Sequence, residues 1–308
     1  MVDPIAEPLE QATSCGFVAL IGAPNAGKST LINALVGTKV SIVTPKVQTT
    51  RTLIRGIAVE GTAQLIFVDT PGIFAPRRRL DRAMVGTAWG STQDADLVAL
   101  LIDAKKGLTD DEDAILNTLA DIRPTKVLVL NKVDLIDKPA LLTLTQRLNE
   151  RASFAATFMI SALSGDGVGH LRSWFAAHVP AGPWLYPEDQ ISDAPMRQLA
   201  AEITREKLYL RLHQELPYQS TVETEVWKEL RDGSVRIEQT IYVERESQRK
   251  IVLGKAGQAI KAIGAAARKD IAAAAEQPVH LFLHVKVREG WGDDPERYRE
   301  MGLEFPKE

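Results

Sequence analysis

One short stretch near the amino end restricts the possible folds more than any other part of the chain. An apolar run, residues 18–21, leads into a Gly-x-x-x-x-Gly-Lys-Ser pattern from Gly22 to Ser29, and a helix-forming segment follows. A strand, a glycine loop and a helix in this order point backbone N–H groups and the positive end of the helix at phosphate oxygens. The sequence therefore predicts a phosphate-binding loop.

The side chains of this loop have separate expected roles. Lys28 is predicted to reach the β- and γ-phosphates, and Ser29 is predicted to ligate Mg²⁺. A chance match in a glycine turn is the alternative, and the motifs that follow argue against it. The predicted nucleotide contacts of the loop are Gly22, Ala23, Pro24, Asn25, Ala26, Gly27, Lys28, Ser29 and Thr30.

A polar loop follows the first predicted helix. Residues 39–57 have no long periodic pattern and include two adjacent threonines, Thr49 and Thr50. We expect this segment to fold over Mg²⁺ and the γ-phosphate, with Thr50, or else Thr49, ligating the metal when a triphosphate is present. A solvated Ser/Thr-rich connection is the alternative.

The second predicted switch begins where an apolar strand, residues 63–68, runs into Asp69-Thr70-Pro71-Gly72. A buried carboxylate is costly without a cation or hydrogen-bond donors, so Asp69 is expected to face the Mg²⁺ shell through water. Gly72 has no side chain, and its N–H is expected to approach the γ-phosphate. Loss of that contact on hydrolysis would release residues 73–90. Three arginines, 77–79, either move with them or form a solvated loop.

A later motif selects the base. The apolar strand at 126–130 ends in Asn131-Lys132-Val133-Asp134. The carboxylate of Asp134 can accept from the ring N–H and the exocyclic amine of guanine, a pattern that adenine lacks. Asn131 and Lys132 are predicted to tie the base loop to the phosphate loop. After the strand at 156–160, a backbone N–H of Ser161, Ala162 or Leu163 is expected to meet the guanine carbonyl oxygen.

Strands alternate with helices in the first half, and each motif follows a strand, which predicts a doubly wound, mostly parallel α/β sheet. With five motifs in the required order, residues 14–180 resemble the Ras-like P-loop GTPases. The resemblance implies hydrolysis of GTP to GDP and phosphate.

This sequence departs from the family pattern at Ile73, where those proteins often carry a glutamine that orients water. Asn25 is similar to a residue of bacterial relatives that helps hold K⁺, or else it bonds its own loop. The predicted catalytic residues are Lys28, Asn25 and Thr50.

The alternation stops near residue 180, and a proline-bearing connection, 181–195, predicts a linker between a GTPase domain at 1–180 and a second domain at 196–308. A helical pattern covers 196–215. Strands at 221–230 and 235–243 flank Asp232-Gly233, a hairpin signal. A short turn at 247–253, a helix at 258–275 and a strand at 279–287 follow.

Gly254-Lys255-Ala256-Gly257 lies between the last two helical segments. Residues 245–269 hold seven basic residues and one acid, a local charge of +6, which suits a sugar-phosphate backbone at close range better than a solvated helix face. Ile251, Val252, Ile260 and Ile263 are expected to line a groove for unpaired bases. This half resembles an α+β KH domain of the helix-first type II, over residues 196–290. The predicted RNA contacts are Arg249, Lys250, Gly254, Lys255, Ala256, Gly257 and Lys261.

A Ras-like domain with Gln48-Thr49-Thr50-Arg51, joined to such a KH domain and ending in a segment at 285–291, is similar to the Era family along the whole chain. The resemblance implies a GTP/GDP switch using Mg²⁺, with K⁺ as a further candidate. It also implies binding to the 3′ region of 16S ribosomal RNA and assistance to assembly of the small (30S) ribosomal subunit. A tRNA-modification-type GTPase is the alternative, but this chain lacks that family's reactive cysteine near its end. An RNA-binding module with a degenerate nucleotide fold and a metabolic kinase fit the intact motifs less well.

The rest of the chain adds few constraints. With 308 residues and a net charge of −3, only a local surface can attract nucleic acid. The single cysteine, Cys15, excludes an internal disulfide, and no apolar run approaches the ~18 residues that span a membrane. We therefore expect a cytoplasmic monomer, and peripheral contact with the inner membrane face stays open.

Overall fold

In the computed structural model, the described residues are 12–212, 216–290, 295–300 and 302–306. They form a six-stranded sheet and a three-stranded sheet. The strands of the first sheet are β1 (Ser14–Ile21), β2 (Ile54–Glu60), β3 (Ala63–Asp69), β4 (Leu97–Asp103), β5 (Thr125–Asn131) and β6 (Ala156–Ile160). Their order is β2-β3-β1-β4-β5-β6, in which β2 is antiparallel to β3 and the other neighbours run parallel.

Helices pack on both faces of this sheet, over two separate apolar cores. Strands β3 and β4 are buried along their whole length, as expected of strands covered on both faces. The helices of this half are α1 (Lys28–Val36), α2 (Arg79–Gln93), α3 (Asp110–Leu119), α4 (Lys138–Arg151) and α5 (Val168–His178). The parallel strands end at one edge of the sheet, which brings the predicted nucleotide motifs together.

The second half has the order helix, two strands, two helices, strand. Its elements are α6 (Met196–Arg211), β7 (Ser220–Glu229), β8 (Val235–Val243), α7 (Glu246–Leu253), α8 (Gln258–Ala275) and β9 (Val279–Val287). Strand β8 is antiparallel to β7 and parallel to β9. The helices cover the sheet over two apolar clusters. The predicted fold class is confirmed, although residues 247–253 lie in a helix rather than a turn, and α6 ends at Arg211.

The connection between the halves passes the start of β3 and then lies along β2, the edge strand of the six-stranded sheet. The buried side chain of Gln64 accepts from the backbone N–H of Leu185 and Tyr186 and donates to the Tyr186 carbonyl, at 2.7–3.0 Å. Further along, Arg55 forms an ion pair of 2.7 Å with Asp193. The backbone N–H of Ile57 in the edge strand β2 donates to the carbonyl of Ile191 at 2.9 Å, so the linker pairs strand groups that an open edge would leave exposed.

The end of the described chain returns to the first half. Helix α9 (Pro295–Glu300) and the residues after it place Tyr298 and Leu303 in an apolar cluster with Leu80 and Met84 of α2. Trp291, in the tail segment that resembles the Era family, lies outside the described residues. The part of the chain that the structure describes contains no helix with the length and apolar character needed to cross a membrane.

Candidate functional site

The phosphate loop, residues 22–29, connects β1 to α1 and lines an open cleft of about 250 Å³. Lys28 is 6% exposed, and its Nζ donates to the carbonyl oxygens of Gly22 and Ala23 at 2.9 and 3.1 Å. Burial lowers the pKa of Lys28 to about 8, although nearby Asp69 and Glu112 favour the charged form. A phosphate group in the cleft would favour that form further, since it adds negative charge beside a desolvated ammonium.

Three oxygen-bearing side chains from different segments meet beside Lys28. The hydroxyl groups of Ser29 and Thr50 are 2.9 Å apart, and Thr50 donates to Asp69 Oδ2 at 3.4 Å. Asp69 is fully buried, its Oδ1 has no hydrogen-bond partner among the described residues, and burial raises its pKa. Two hydroxyls and an under-coordinated buried carboxylate are hard oxygen donors of the kind that Mg²⁺ prefers. The residues present therefore fit a magnesium ion.

The loop between α1 and β2, residues 37–53, is called the first switch loop below. Its two candidate threonines differ in position, because Thr49 donates its hydroxyl to the Lys46 carbonyl at 2.6 Å and is hydrogen-bonded to Thr44. Only Thr50 lies beside Ser29. This geometry favours Thr50 over Thr49 as the metal ligand. Ser41, whose hydroxyl donates to Asp69 at 2.6 Å, was not singled out by the sequence pattern.

The segment between β3 and α2, residues 70–78, is called the second switch segment. Thr70 donates to the Leu20 carbonyl, and the N–H of Ile73 donates to the Gly22 carbonyl at 3.1 Å. A Cβ on Gly72 would lie 2.9 Å from the N, Cα and Cγ atoms of Pro24, so only glycine fits against the phosphate loop. Ile73 is buried in the core and cannot orient a water molecule.

Asn131 and Lys132 join the loops on the base side of the cleft. Asn131 Nδ2 donates to the Ala26 carbonyl at 2.8 Å, and Asn131 Oδ1 accepts from the N–H of Ala162 at 2.9 Å. Lys132 Nζ donates to the Asn25 carbonyl and pairs with Asp103 at 2.7 Å. These bonds match the predicted tie between base loop and phosphate loop, and they add the loop at 161–163 to it.

The remaining base-side residues are available for a ligand. Asp134 is exposed in a 3₁₀ turn after β5. The N–H groups of Ser161 and Ala162 donate to Asp166 and Asn131. Of the three N–H groups in the tripeptide 161–163, that of Leu163 is therefore the one without a partner among the described residues, and Leu163 is the candidate contact to the guanine carbonyl oxygen.

The predicted catalytic residue Asn25 bridges two loops instead of bonding within its own. Its Nδ2 donates to the carbonyl oxygen of Pro45 in the first switch loop at 3.1 Å. Asn25 also has a left-handed backbone conformation, with φ of 65°. The side chain is therefore placed at the boundary between the phosphate loop and the first switch loop.

The first switch loop is also bonded to helix α6 of the second half. Arg51 donates to the Tyr209 hydroxyl at 2.7 Å and to the Ser220 carbonyl at 2.9 Å, and Arg205 donates to the Thr49 carbonyl. All three side chains, Arg51, Arg205 and Tyr209, are at most 2% exposed. Burial lowers the pKa of Arg51. For Arg205 burial acts in the same direction, but the adjacent Glu202 outweighs it and raises the pKa.

Glu206 makes a second connection between α6 and the first switch loop. Its carboxylate accepts from Lys39 Nζ at 2.7 Å and from the N–H of Val43 at 2.9 Å, and it pairs with Lys207 at 2.8 Å. Burial alone would raise the pKa of Glu206, but these donors together lower it. The charged form of Glu206 is thus stabilised at the contact between the halves.

The basic loop of the second half joins α7 to α8. Gly254 has φ of 72°, and a Cβ there would lie 2.6 Å from Ala259 Cβ, which excludes other residues. Lys250, Lys255, Ala256 and Lys261 are exposed around it. Gly257 caps the amino end of α8, so the loop presents backbone N–H groups and cationic side chains together.

Two predicted groove residues are not in a groove. Val252 and Ile263 are 0% and 1% exposed and belong to the core under the sheet, so their assignment to the surface was wrong. The physical reason is that each faces the sheet from its helix. Ile251, at 58% exposed, and the partly buried Ile260 remain available for a ligand. Arg249 donates to the Val285 carbonyl and pairs with Glu246, which gives it a structural role.

Comparison with known proteins decides the family. The family model described as "50S ribosome-binding GTPase" matches residues 17–132, and that described as "KH domain" matches residues 215–292. A protein named GTPase Era from Afipia carboxidovorans is 70% identical over 98% of each chain. GTPase Era from Brucella suis is 69% identical over 96% of this chain and 94% of its own.

The chain belongs to the Era family of GTPases.

Solved Era structures share this fold. One, a complex of Era with MgGDPNP and nucleotides 1506–1542 of 16S ribosomal RNA, has a TM-score of 0.89 at 36% identity and covers 94% of this chain and 99% of its own. Aquifex aeolicus Era Y63A bound to GDP·AlF₄⁻ gives the same TM-score and coverage at 37% identity. As a member of this family the chain is a GTPase, as the sequence predicted.

Replacement of Gly72 by alanine tests the second switch segment of this Era-family protein. The added Cβ would collide with the backbone of Pro24, so we expect GTP turnover to fall by about 100-fold. GDP affinity should fall less than turnover, because GDP lacks the γ-phosphate that Gly72 is predicted to contact and is affected only through the displaced Pro24. Gly86→Ala in α2 is the control, since nothing lies within 4 Å of its added Cβ. Equal turnover of the Gly72→Ala protein and the wild type would contradict the assignment.

Replacement of Glu206 by alanine tests the contact between α6 and the first switch loop. It leaves Lys39 and the Val43 N–H without their acceptor, so we expect a loss of about 2 kcal/mol in free energy of unfolding. The melting temperature, followed by calorimetry, should fall by several degrees. Glu150→Ala on the exposed face of α4 serves as control and should change it little. An equal effect of both substitutions would show that the contact adds no stability.

Proposed function

We propose that this chain is a GTP-hydrolysing switch that binds the 3′ region of 16S ribosomal RNA and assists assembly of the small ribosomal subunit and maturation of its RNA. The first half cleaves GTP to GDP and phosphate. The second half holds unpaired RNA at the loop formed by Gly254, Lys255, Ala256 and Gly257. A solved Era structure with 36% identity contains both MgGDPNP and nucleotides 1506–1542 of that RNA, which supports the proposal.

In the proposed hydrolysis, the phosphate loop N–H groups and Lys28 bind the β- and γ-phosphates. Ser29 and Thr50 would ligate Mg²⁺ directly, and Asp69 would hold it through water. That ion supplies charge neutralisation between the phosphates when bound.

The N–H of Gly72 would contact the γ-phosphate, and Asp134 would select guanine. Because Ile73 is buried, the attacking water has to be oriented by a group other than the side chain of residue 73.

Asn25 is proposed as a contact to K⁺ beside the β- and γ-phosphates. Its position supports this, because its amide lies between the phosphate loop and the first switch loop. A monovalent cation there would add positive charge where negative charge develops in the transition state. Turnover compared in potassium and sodium buffers tests the proposal, and equal rates would remove it.

One observation carries the proposed coupling. The first switch loop, which lines the nucleotide cleft, is bonded to α6 through Arg51, Arg205, Tyr209 and Glu206. Helix α6 packs on α8 and β7 of the RNA-binding half. A nucleotide that orders the first switch loop therefore acts directly on α6, in addition to any effect through the linker.

Measuring RNA affinity in both nucleotide states tests the proposed function. We expect an RNA of nucleotides 1506–1542 to bind at least ~10-fold more tightly with GDPNP and Mg²⁺ than with GDP. Transfer RNA and a scrambled RNA of equal length are the competitors. Equal affinities in both states would leave two uncoupled activities. Preference for transfer RNA would support the tRNA-modification-type alternative. The cytoplasmic monomer, with or without contact at the inner membrane face, remains a prediction.

A further inference from the structure

Asp81 lies at the start of α2 and bonds both switch segments at once. It is 4% exposed. Its Oδ2 accepts from the backbone N–H groups of Arg77 and Arg78 at 3.0 and 2.9 Å, which caps the helix. Its Oδ1 accepts from Gln48 Nε2 in the first switch loop at 2.8 Å. One carboxylate oxygen therefore caps the helix, and the other accepts from Gln48, which lies 33 positions away in sequence.

Through Gln48, the bond to Asp81 can influence the position of Thr50. Gln48 stands two residues before Thr50, whose hydroxyl contacts Ser29 and Asp69. Gln48 also has a left-handed backbone, with φ of 55°, which residues other than glycine adopt infrequently. A conformation of this kind needs support from its surroundings, and Asp81 supplies part of it.

Hydrolysis requires the first switch loop and the second switch segment to be in place together. Thr50 belongs to the loop before β2, and Gly72 belongs to the segment after β3. The bond between Gln48 and Asp81 joins the two directly, because Asp81 also accepts from the N–H groups of Arg77 and Arg78 at the end of the second switch segment.

We propose that Asp81 is a positioning residue for GTP hydrolysis, which holds Gln48 so that Thr50 and Gly72 reach the γ-phosphate in one arrangement. This inference rests on the proposed function of the cleft. Asp81 does not contact the nucleotide. Loss of its bond to Gln48 should therefore lower kcat while leaving the KM for GTP and the affinity for GDP nearly unchanged, because misplaced groups cost reaction rate rather than binding.

A reciprocal exchange of the two side chains tests the proposal. In Gln48→Glu two carboxylates face each other, and kcat should fall about tenfold. In Gln48→Glu/Asp81→Asn, the amide of residue 81 can donate to the carboxylate of residue 48 while its oxygen still accepts from the Arg77 and Arg78 N–H groups. The total charge equals that of the wild type. This double variant should recover to within about threefold of the wild-type kcat.

The chain offers a matched control pair. Gln146 Nε2 donates to Glu150 Oε1 at 2.9 Å on the exposed face of α4, away from the cleft. Gln146→Glu and Gln146→Glu/Glu150→Gln repeat the same chemistry there, and both should keep wild-type kcat.

The outcomes separate the inference from the proposed function. Absence of GTP turnover in the wild type would reject the proposed function itself. Normal turnover in the wild type with unchanged kcat in Gln48→Glu, or with no recovery in the double variant, would overturn the inference alone. If Gln48→Glu raises KM and lowers the melting temperature but leaves kcat unchanged, Asp81 has a structural role only. That result would also overturn the inference.

Discussion

Asp134→Asn is expected to weaken binding of GDP and GTP by about 10³-fold. The carboxylate of Asp134 accepts two hydrogen bonds from guanine in the proposed complex, and an amide at this position accepts one and opposes the exocyclic amine with a second donor. The side chain is exposed beside the cleft, so its replacement should not disturb the fold. Calorimetric titration with GDP and Mg²⁺ measures the loss.

The same variant should gain affinity for xanthosine nucleotides. Xanthine carries an oxygen where guanine has its exocyclic amine, so the asparagine amide can donate to that oxygen and accept from the ring N–H. Asp137→Asn is the matched control. Asp137 caps α4 by accepting from the Ala140 N–H at 2.9 Å, and asparagine is an equally good cap. GDP affinity within fivefold of the wild type in Asp134→Asn would refute the assignment of guanine selection to Asp134.

Lys255→Asp/Ala256→Asp is expected to reduce affinity for the 16S-derived RNA by about 100-fold or more. Both side chains are exposed in the loop between α7 and α8, and the double substitution places negative charge where a phosphate backbone would lie. The fold should be retained, because Ala256 has φ of 50° and aspartate tolerates that conformation well. Fluorescence anisotropy with labelled RNA measures the loss.

Turnover of GTP without RNA should be unchanged in this double variant, which separates the two activities. Lys138→Asp/Ala140→Asp is the control, since it makes the same two replacements at exposed positions in the first turn of α4. Acidic residues are favourable at the amino end of a helix, so this control should fold normally. Equal loss of RNA affinity in both variants would show that net charge, rather than the loop, controls binding.

The motifs of the predicted nucleotide cleft could be recognised from the sequence because each of them is local. A phosphate loop needs a strand, two glycines, a lysine and a helix within about fifteen residues, and these neighbours in sequence are neighbours in space. The same applies to Asp69 through Gly72 and to Asn131 through Asp134. Parallel strands then bring the separate motifs to one edge, so the order of elements along the chain suffices to place them.

Side chains that act across larger separations were not predicted. Arg205 and Tyr209 fit an amphipathic helix, and nothing in their spacing indicates that they bond residues 48–51. Asp81 was not singled out in the sequence, where it stands two residues after three consecutive arginines, yet it is buried and accepts from Gln48. The groove assignment of Val252 and Ile263 was wrong for a related reason. Ile251 and Val252 are adjacent in α7 and face different directions, whereas Ile260 and Ile263 share the face of α8 that packs on the core.

The sequence by itself determined the two folds, the guanine and phosphate motifs and the basic glycine loop, because each depends on residue types at short, fixed spacing. The tertiary structure alone decided that Thr50, rather than Thr49, lies beside Ser29. It also decided how α6 is bonded to the first switch loop and that Tyr298 and Leu303 pack against α2. These contacts join segments far apart in the chain, and their formation depends on how two packed bodies meet. No local propensity specifies that arrangement.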